Sequence, residues 1–356
     1  MVNTYHFIIG TKAQLVKMAP VIRAFTEQNV PYKLVFTGQH QETMDELLTS
    51  FGLSAPDIII YNVGERDSTF KLLHWLVYST RSIFKTKRLY KTSAGFIVHG
   101  DTLSTLMGAV WAKLLKVKVI HIEAGLRSFN MFKPFPEEIV RLIVSKLTNI
   151  SFAPNKWSFD NLKRVKSEKY NTQYNTIIDS LRYALNVKDN TTSTEPYLVV
   201  SMHRVENIMS SEKFEFLMNQ LINNASTVKL KFVLHPVTKK KLLSTGWDKR
   251  LIDSGVECIN RMSYVDFVKL LVNSRGLLTD GGSNQEEAAL MGLPCIILRA
   301  ETERTEGLDS GITIAHYSEE AISNFIETVS AQSWELKTLP EHSPSQQIAK
   351  TLKQAN

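Results

Sequence analysis

The first half of the chain alternates short apolar runs with longer segments in which apolar side chains recur at helical spacing. The apolar runs are YHFIIG, YKLVFTG, GFIVHGD and VKVIHIEAG, and they predict strands at 5–10, 32–38, 95–101 and 117–125. The segments between and after them predict helices at 13–28, 42–50, 103–115 and 137–147. Regular alternation of strand and helix is typical of a parallel sheet with helices on both faces.

A polar segment, NVKDNTTSTEP at 186–196, interrupts this pattern, after which the alternation starts again. The second half predicts strands at 197–203, 231–236, 256–260, 276–282 and 294–298, and helices at 212–224, 264–272 and 285–291. The last segment, 316–354, is predicted to be helical and to pack back across the linker.

The fold class predicted from this pattern is α/β, with two Rossmann-like, doubly wound parallel-sheet domains. We assign 1–185 to the first domain, 186–195 to a linker, 196–335 to the second domain, and 336–356 to a C-terminal helix that packs on the first domain. A chain of 356 residues has the length of two domains with separate cores, which excludes a single small binding module.

Composition and charge narrow the class of protein. The chain has 42 Lys plus Arg and 35 Asp plus Glu, a net charge of +7, and it shows no zinc-finger spacing or other nucleic-acid-binding signature. Its two cysteines, Cys258 and Cys295, lie in apolar runs and suit a reducing compartment. Because neither a signal peptide nor a membrane-spanning apolar run is evident, we predict a cytoplasmic protein without membrane insertion.

Carboxylates follow two of the predicted strands in the first half. Asp101 ends FIVHGD and Glu123 ends VIHIE, so both side chains are expected at the carboxyl edge of the sheet, where open α/β sheets bind ligands. For Asp101, a structural role as the N-cap of the following helix is an equal alternative. For Glu123 a catalytic role is favoured.

A third acidic position follows an aromatic, proline-containing loop, FNMFKPFP. Glu137 and Arg141 are spaced i, i+4 on the helix that this loop opens, which is ordinarily a surface ion pair. If the loop closes over a ligand, the same pair can orient a carboxylate for proton transfer.

The second half carries two patterns suited to anions. SMHRVEN places His203 and Arg204 directly after an apolar strand, where both can donate charge-assisted hydrogen bonds. TDGGSNQEE places Gly281 and Gly282 between a strand and a helix, and amides at a helix N-terminus bind phosphate oxygens. No metal-binding spacing, nucleophile elbow or Walker sequence accompanies them, so no metal site is expected.

Long stretches of the chain resemble the non-hydrolysing UDP-N-acetylglucosamine 2-epimerases. The resemblance is carried by GTKAQLVKMAPVI, FTGQH, HGDTLSTLMGAVWAKLLKVKVIHIEAGLRSFNMFKPFPEEIVR, SFAPN, NTIIDSL, SMHRVEN and TDGGSNQEEAALMGLPCIILRAETERTEG, in unbroken order over 5–315. It implies a GT-B-like fold with the active site between two Rossmann-type domains. It also implies a homodimer that uses a UDP-sugar without NAD or metal.

The resemblance further implies inversion at sugar carbon 2 through loss of UDP, a 2-acetamidoglucal and re-addition of UDP, as a step toward surface polysaccharide. Residues that match the acid–base set are Asp101, Glu123 and Glu137, with Arg141 orienting the last and His203 stabilising the departing UDP. Residues that match substrate contacts are Lys12, Lys17, Phe267, Gly281, Gly282, Ser283, Glu287 and Arg304. Among these, Arg304 is implied at the diphosphate, Glu287 at the ribose and Phe267 near the uracil.

The sequence departs from the family pattern at three motifs. The opening GTRPE is GTKAQ, so Lys12 stands where the family has an arginine, and a point charge replaces a forked donor. DSGG is DGGS at 280–283, and TGNT is QYNT at 173–176. These differences leave open a related or modified UDP-HexNAc as the substrate, and also a hydrolysing 2-epimerase that releases free sugar. A GT-B glycosyltransferase and a catalytically silent UDP-sugar sensor are alternatives from other classes.

Some family members bind a second UDP-sugar as an activator. The positions of this chain that match that site are Gln39, Arg66, Glu138, Arg204 and His235, whereas Glu42 stands where a glutamine is usual.

Overall fold

The computed structural model describes residues 3–38, 44–60, 78–83, 85–131, 135–187, 195–302, 304, 306–308 and 310–355. The strands are β1 (Thr4–Ile9), β2 (Tyr32–Phe36), β3 (Ile58–Ile59), β4 (Ser93–His99), β5 (Val119–Ile122), β6 (Ile150–Ala153), β7 (Glu168–Asn171), β8 (Tyr197–Ser201), β9 (Lys229–Leu234), β10 (Glu257–Asn260), β11 (Gly276–Thr279), β12 (Cys295–Ile297) and β13 (Ile312–Ile314).

The α-helices are α1 (Lys12–Glu27), α2 (Met44–Ser50), α3 (Leu103–Leu114), α4 (Glu137–Leu147), α5 (Lys156–Asn161), α6 (Ile177–Asn186), α7 (Val205–Met209), α8 (Ser211–Asn224), α9 (Pro236–Thr245), α10 (Trp247–Asp253), α11 (Tyr264–Val272), α12 (Gly282–Met291), α13 (Glu319–Ala331) and α14 (Pro344–Gln354). A 3₁₀ helix spans Lys87–Tyr90, and residues 78–83 are helical.

The chain divides into two compact units, one formed by 1–183 with 341–356 and the other by 184–340. The first contains a seven-stranded sheet in the order β3-β2-β1-β4-β5-β6-β7, and the second a six-stranded sheet in the order β10-β9-β8-β11-β12-β13. All strand pairs in both sheets are parallel. The prediction of two doubly wound parallel-sheet domains is confirmed.

The strand order reverses once in each sheet, between β1 and β4 in the first and between β8 and β11 in the second. Neighbouring strands at such a point send their connections to opposite faces, which leaves a crevice at their carboxyl ends. The central strands are mostly apolar because helices cover both faces; Ile8, Val98, Val200 and Leu278 are all fully buried.

Four short strands and several helices were not predicted from the sequence. The strand β7 has the polar sequence EKYN and lies at a sheet edge, and β3 has two residues, so neither produces an apolar run. The helix α9, PVTKKKLLST, buries only Thr238 and Leu242, and it therefore lacks an apolar stripe.

The prediction of continuous helix over 316–354 is wrong. The helix α13 ends at Ala331, residues 332–343 are not helical, and α14 begins at Pro344. Pro340 disfavours helical backbone at the residue before it, and Pro344 lies in the first turn of α14, where its missing N–H costs nothing.

The C-terminal helix α14 packs in the first unit, although the chain enters it from the second. The Asp179 carboxylate accepts hydrogen bonds from Ser343 Oγ and from the Ser345 backbone N–H, both at 2.9 Å. Tyr5 Oη donates to the Leu352 carbonyl at 2.8 Å. Residues 188–194 of the predicted linker lie outside the described residues.

Candidate active site

Glu123 follows β5 at the carboxyl edge of the first sheet and accepts several donors there. Its Oε1 lies 2.5 Å from Lys17 Nζ, and it also accepts a hydrogen bond from Asn175 Nδ2. The side chain is only 8% exposed, so the ammonium neutralises a carboxylate that is shielded from water, and the amide helps to orient it.

The backbone around Glu123 leaves little freedom for this side chain. Glu123 itself has φ +63°, in the left-handed region that non-glycine residues rarely occupy. Gly100 follows β4 and has φ +65°. A Cβ on this residue would lie 3.0 Å from Glu123 Oε2. The two neighbouring strand ends therefore approach each other closely, with Glu123 between them.

Two buried histidines pack beside this carboxylate. His99 Nδ1 lies 3.7 Å from Glu123 Oε2, and burial, opposed by the Glu123 charge, lowers the pKa of His99 to about 4. His121 Nε2 donates a 2.8 Å hydrogen bond to the Gly100 carbonyl, because a carbonyl oxygen can only accept. Burial also lowers the pKa of His121. Both rings are consequently neutral at neutral pH, and the His121 ring joins β5 to the end of β4 through its bond to the Gly100 carbonyl.

Asp101 lies in the turn after β4 and pairs with a cation from another helix. Arg141 Nε and Nη2 lie 2.8 and 2.7 Å from Asp101 Oδ2. The N-cap of α3 is Thr102, whose side chain accepts from the Thr105 backbone N–H. The capping role considered for Asp101 is therefore wrong, and its carboxylate remains 26% exposed at the edge of the sheet.

The prediction that Arg141 orients Glu137 is not what the structure shows. Arg141 pairs instead with Asp101 and, at 3.3 Å, with Glu138. Glu138 is fully buried and also accepts from Arg127 Nε at 2.5 Å and from the Ser128 backbone N–H at 2.9 Å. Burial raises its pKa, but the hydrogen bonds from Ser128 and from the two arginines outweigh that effect and lower it overall.

Glu137 begins α4, one residue before Glu138. Its Oε2 is buried and accepts no hydrogen bond from the residues that the structure describes. A carboxylate oxygen without a protein donor is available to accept or give a proton. Part of the loop that precedes it, 132–134, lies outside the described residues.

At the reversal point of the second sheet, basic side chains lie beside two glycines. His203 and Arg204 follow β8, and Gly281 and Gly282 follow β11. A Cβ on Gly281 would lie 2.8 Å from His203 Cε1, and a Cβ on Gly282 would lie 3.0 Å from Arg304 Nε and 3.4 Å from Arg204 Nη2. The two glycines thus lie where two guanidinium groups and an imidazole come close to the backbone.

This glycine pair begins the ten-residue helix α12, whose N-cap makes no side-chain capping bond. Helix N-terminal amides and nearby guanidinium groups together favour an anion such as a diphosphate. Arg304 also pairs with Glu286 at 2.9 Å, which fixes its position within the domain. Ser283 lies in the first turn of the same helix.

The remaining predicted contacts of the second domain lie on α11 and α12. Glu287 is buried on α12 near Tyr264, and burial followed by the Glu287 charge raises the pKa of Tyr264 well above its usual value. Phe267 is half-buried on α11. In the first domain, Lys12 is the partly exposed first residue of α1.

Of the residues matched to an activator site, Gln39 and Arg66 lie outside the described residues. Glu138 forms ion pairs with Arg127 and Arg141. His235 stacks near His203, with ring centroids 5.3 Å apart.

Sequence reasoning missed two residues that organise these clusters, Asn175 and Asp280. Asn175 lies in QYNT and contacts Glu123 from 52 positions away, which no local pattern reveals. Asp280 directly follows an apolar strand, the same signal that identified Asp101 and Glu123, and its contacts are described below. Within the described ranges, no three His, Cys, Asp or Glu side chains are placed to hold a metal ion, and no helix has the length and apolar character that a membrane crossing needs.

Comparison with known proteins places this arrangement in a family. The family model described as UDP-N-acetylglucosamine 2-epimerase matches residues 23–351. The UDP-N-acetylglucosamine 2-epimerase of Methanococcus maripaludis is 34% identical over 346 residues, covering 90% of each chain, and that of Methanocaldococcus jannaschii is 30% identical over 324 residues, covering 86% of each.

Solved structures agree with the sequence comparison. The UDP-GlcNAc 2-epimerase of Methanocaldococcus jannaschii, in complex with UDP-GlcNAc and UDP, has a TM-score of 0.83 at 25% identity and covers 99% of both chains. The enzyme of Neisseria meningitidis bound to UDP-GlcNAc has a TM-score of 0.80 at 26% identity, over 99% of this chain and 100% of that one. The predicted GT-B-like fold class is confirmed, and the chain belongs to the UDP-N-acetylglucosamine 2-epimerase family of isomerases.

Proposed function

We propose that this protein interconverts UDP-N-acetylglucosamine and UDP-N-acetylmannosamine by inversion at sugar carbon 2. The observation that supports it most directly is the acidic cluster of the first domain. Asp101 and Glu123 lie at neighbouring strand ends, each held by a cation, and Glu137 keeps an oxygen without a donor among the described residues. The relatives named for this reaction and the family membership support the same substrate class.

The proposed reaction is an elimination followed by an addition. The bond between carbon 2 and its proton breaks, and that electron pair forms the double bond between carbons 1 and 2. The bond between carbon 1 and the glycosidic oxygen breaks, and UDP leaves with that electron pair. A 2-acetamidoglucal remains. A proton then adds to carbon 2 from the opposite face, and UDP adds back to carbon 1. Atoms and charges balance without an external oxidant or reductant.

Proton transfer on two opposite faces needs two groups with different positions. The first domain offers three carboxylates for this purpose. Lys17 and Asn175 hold Glu123, and Arg141 holds Asp101, so these two are confined to single orientations. Glu137 differs because its Oε2 has no described donor.

Departure and return of UDP need cationic stabilisation of a diphosphate. In the second domain, Arg204 and Arg304 approach Gly282 at the N-terminus of α12, and His203 approaches Gly281. Charge-assisted hydrogen bonds from these groups become stronger as negative charge develops on the leaving oxygen. We propose that Lys12 and Lys17 contact the sugar-phosphate, Glu287 the ribose, Phe267 the uracil, and Ser283 the diphosphate.

Incubation of the protein with UDP-GlcNAc in deuterated water tests this proposal. Mass spectrometry and proton NMR should show deuterium at carbon 2 together with the appearance of UDP-ManNAc. If UDP and free sugar accumulate instead, the enzyme is a hydrolysing epimerase. If carbon 2 never exchanges, and sugar is transferred only after an acceptor is added, a glycosyltransferase replaces the proposal; a protein that binds UDP-GlcNAc without exchange or transfer is a sensor.

We further propose that the enzyme acts as a cytoplasmic homodimer and supplies a precursor for surface polysaccharide. The family resemblance supports the dimer and the role in polysaccharide formation. The cysteines Cys258 and Cys295 are free thiols, which suits a reducing compartment. Light scattering coupled to size-exclusion chromatography tests the dimer, because a homodimer has twice the mass of the 40.4 kDa chain.

A further inference from the structure

A buried carboxylate in the second domain has no part in the functions proposed so far. Asp280 follows β11 at the reversal point of the second sheet, and its side chain is completely excluded from solvent. Burying a charged group is costly unless hydrogen bonds satisfy it. Its partners should therefore indicate what this charge does.

Within the part of the chain that the structure describes, three hydrogen bonds to this carboxylate come from the segment after β8. Asp280 Oδ1 accepts from the His203 backbone N–H at 2.8 Å, and Oδ2 accepts from the Arg204 backbone N–H at 3.0 Å. Asn207 Nδ2 donates to the same Oδ2 at 3.0 Å. One side chain thus joins the two strand ends on either side of the reversal point and sets the backbone of His203 and Arg204.

Asn207 is itself held by two further elements. Its Nδ2 also donates to the Leu298 carbonyl at 3.0 Å, and its Oδ1 accepts from Tyr317 Oη at 2.6 Å. Asn207 is fully buried. The amide therefore cannot turn away from Asp280 without breaking bonds to the segment after β12 and to the segment before α13.

The imidazole of His203 senses this carboxylate and its other neighbours. His203 Nδ1 lies 3.7 Å from Asp280 Oδ1, a distance for charge interaction rather than for a hydrogen bond. Burial lowers the pKa of His203, Asp280 raises it, and Arg204 and Arg261 lower it further. His235 is the ring that lies against it, with centroids 5.3 Å apart.

We propose that Asp280 is a positioning residue for His203: it fixes the backbone that carries the imidazole and favours the proton on Nδ1. Nε2 then becomes the nitrogen at which a second proton adds, and from which the imidazolium donates to the oxygen of departing UDP. This inference rests on the proposed epimerase function for its catalytic consequence, but its geometric part concerns the imidazole alone.

The first test uses the wild-type enzyme with ¹⁵N-labelled histidine. Loss of one signal in His203→Gln assigns the resonances of His203. The neutral ring should show the proton on Nδ1, and a neutral form with the proton mainly on Nε2 would overturn the proposal. This measurement needs no substitution at Asp280, so it decides the question even if variants at that position fail to fold.

The second test replaces the charge with an amide of the same shape. In Asp280→Asn, protonation of His203 should move to lower pH by about one unit, because the neighbouring negative charge is lost. The rate of carbon-2 exchange at neutral pH should fall by up to about 10-fold, because the imidazolium fraction falls by that factor when its protonation moves by one pH unit. The high-pH limb of kcat should move to lower pH by the same amount as the NMR titration. A purely structural role would lower the melting temperature without this matched shift.

Asp253→Asn is the matched control, because it removes an exposed carboxylate from the same domain. It should leave the His203 titration and the exchange rate unchanged. Equal shifts in both variants, or an unchanged titration with an unchanged rate in Asp280→Asn, contradict the proposal. If the wild-type enzyme exchanges no carbon-2 proton, the epimerase function fails, whereas the NMR measurements still decide whether Asp280 sets the state of His203.

Discussion

The two sheets have the same strand order around their reversal points but carry opposite chemistry at their carboxyl edges. The first sheet places Asp101 and Glu123 after neighbouring strands, and internal cations neutralise them. The second places His203, Arg204 and Arg304 near a glycine pair at a helix N-terminus. One topology thus supplies two kinds of crevice, and the residues that follow the strands decide which ligand chemistry each accepts.

The manner in which each cluster is held also differs. In the first domain, the functional carboxylates are themselves the acceptors of Lys17 and Arg141. In the second, the Asp280 carboxylate accepts hydrogen bonds from the backbone N–H groups of His203 and Arg204, and so it holds the segment that carries these side chains. Arg304, which pairs with Glu286, lies between these cases. The following experiments test whether this division corresponds to proton transfer and anion binding.

The largest expected effect is loss of exchange when a first-domain carboxylate becomes an amide. Glu123→Gln and Asp101→Asn should each lower carbon-2 exchange by at least about 100-fold, because general acid–base groups contribute factors of that size. UDP binding, measured by calorimetry, should stay within a few-fold of wild type. Glu46→Gln, an exposed change on α2, serves as the control. Normal exchange together with weakened UDP binding in these variants would contradict the comparison, because it would place the anion site in the first domain.

A smaller effect is expected for Arg304→Ala, and it should appear in UDP binding rather than in carbon-2 exchange. Loss of a charge-assisted contact to phosphate should weaken UDP binding by about 10- to 100-fold. The loss should shrink as salt is added, since a charge interaction is screened. Lys249→Ala removes an exposed cation from the same domain and should bind UDP normally. Unchanged UDP affinity in Arg304→Ala would remove this arginine from the anion site.

Acid should destabilise the first sheet through its buried histidines. Burial lowers the pKa of His6 and of His99 to about 4, below the ordinary value of 6.5. The unfolded chain therefore takes up these protons first as the pH falls. Their contribution to the free energy of unfolding is fully present above about pH 6.5. It decreases toward pH 4, by at most about 1.4 kcal/mol per pH unit for each histidine.

Hydrogen exchange read by mass spectrometry on β1 and β4 measures this loss, after correction for intrinsic exchange rates. His6→Asn should reduce the pH dependence by about one proton. The exposed His316→Asn, a residue already at φ +50° where asparagine is well tolerated, should retain it. Equal pH dependence in the wild type and in His6→Asn would show that this ring does not remain neutral when folded.

The smallest expected effect separates the helix cap from the adjacent carboxylate. Thr102→Ala should destabilise the first domain by about 1 kcal/mol in urea unfolding, because the Thr102 side chain caps α3. Thr102→Ser retains the capping oxygen and should restore most of that stability. If Thr102→Ala costs nothing whereas Asp101→Asn costs about 1 kcal/mol, Asp101 contributes the cap after all.

The sequence alone predicted most of the difference between the two domains. Parallel strands buried on both faces have continuous apolar runs, and a polar residue that ends such a run must lie at the carboxyl edge of the sheet. Asp101, Glu123 and His203 were found in this way. Short or polar elements such as β7 and α9 were missed because they bury too few side chains to leave a pattern.

Local spacing was a poor guide to ion pairing. On a helix, Glu137 and Arg141 are neighbours at i, i+4, yet Arg141 contacts Asp101 from 40 positions earlier in the chain. Spacing at i, i+4 on a helix contributes only a few tenths of a kcal/mol, so a partly buried carboxylate that the fold brings near Arg141 competes successfully.

The sequence by itself determined the two domains and the strand ends at which functional side chains emerge, because these follow from hydrophobic period and chain direction. Only the tertiary structure decided the partners: Asn175 with Glu123, Arg141 with Asp101, and Asp280 with the His203 backbone. Such contacts join residues distant in sequence, and the directional geometry of a hydrogen bond leaves no periodic trace along the chain.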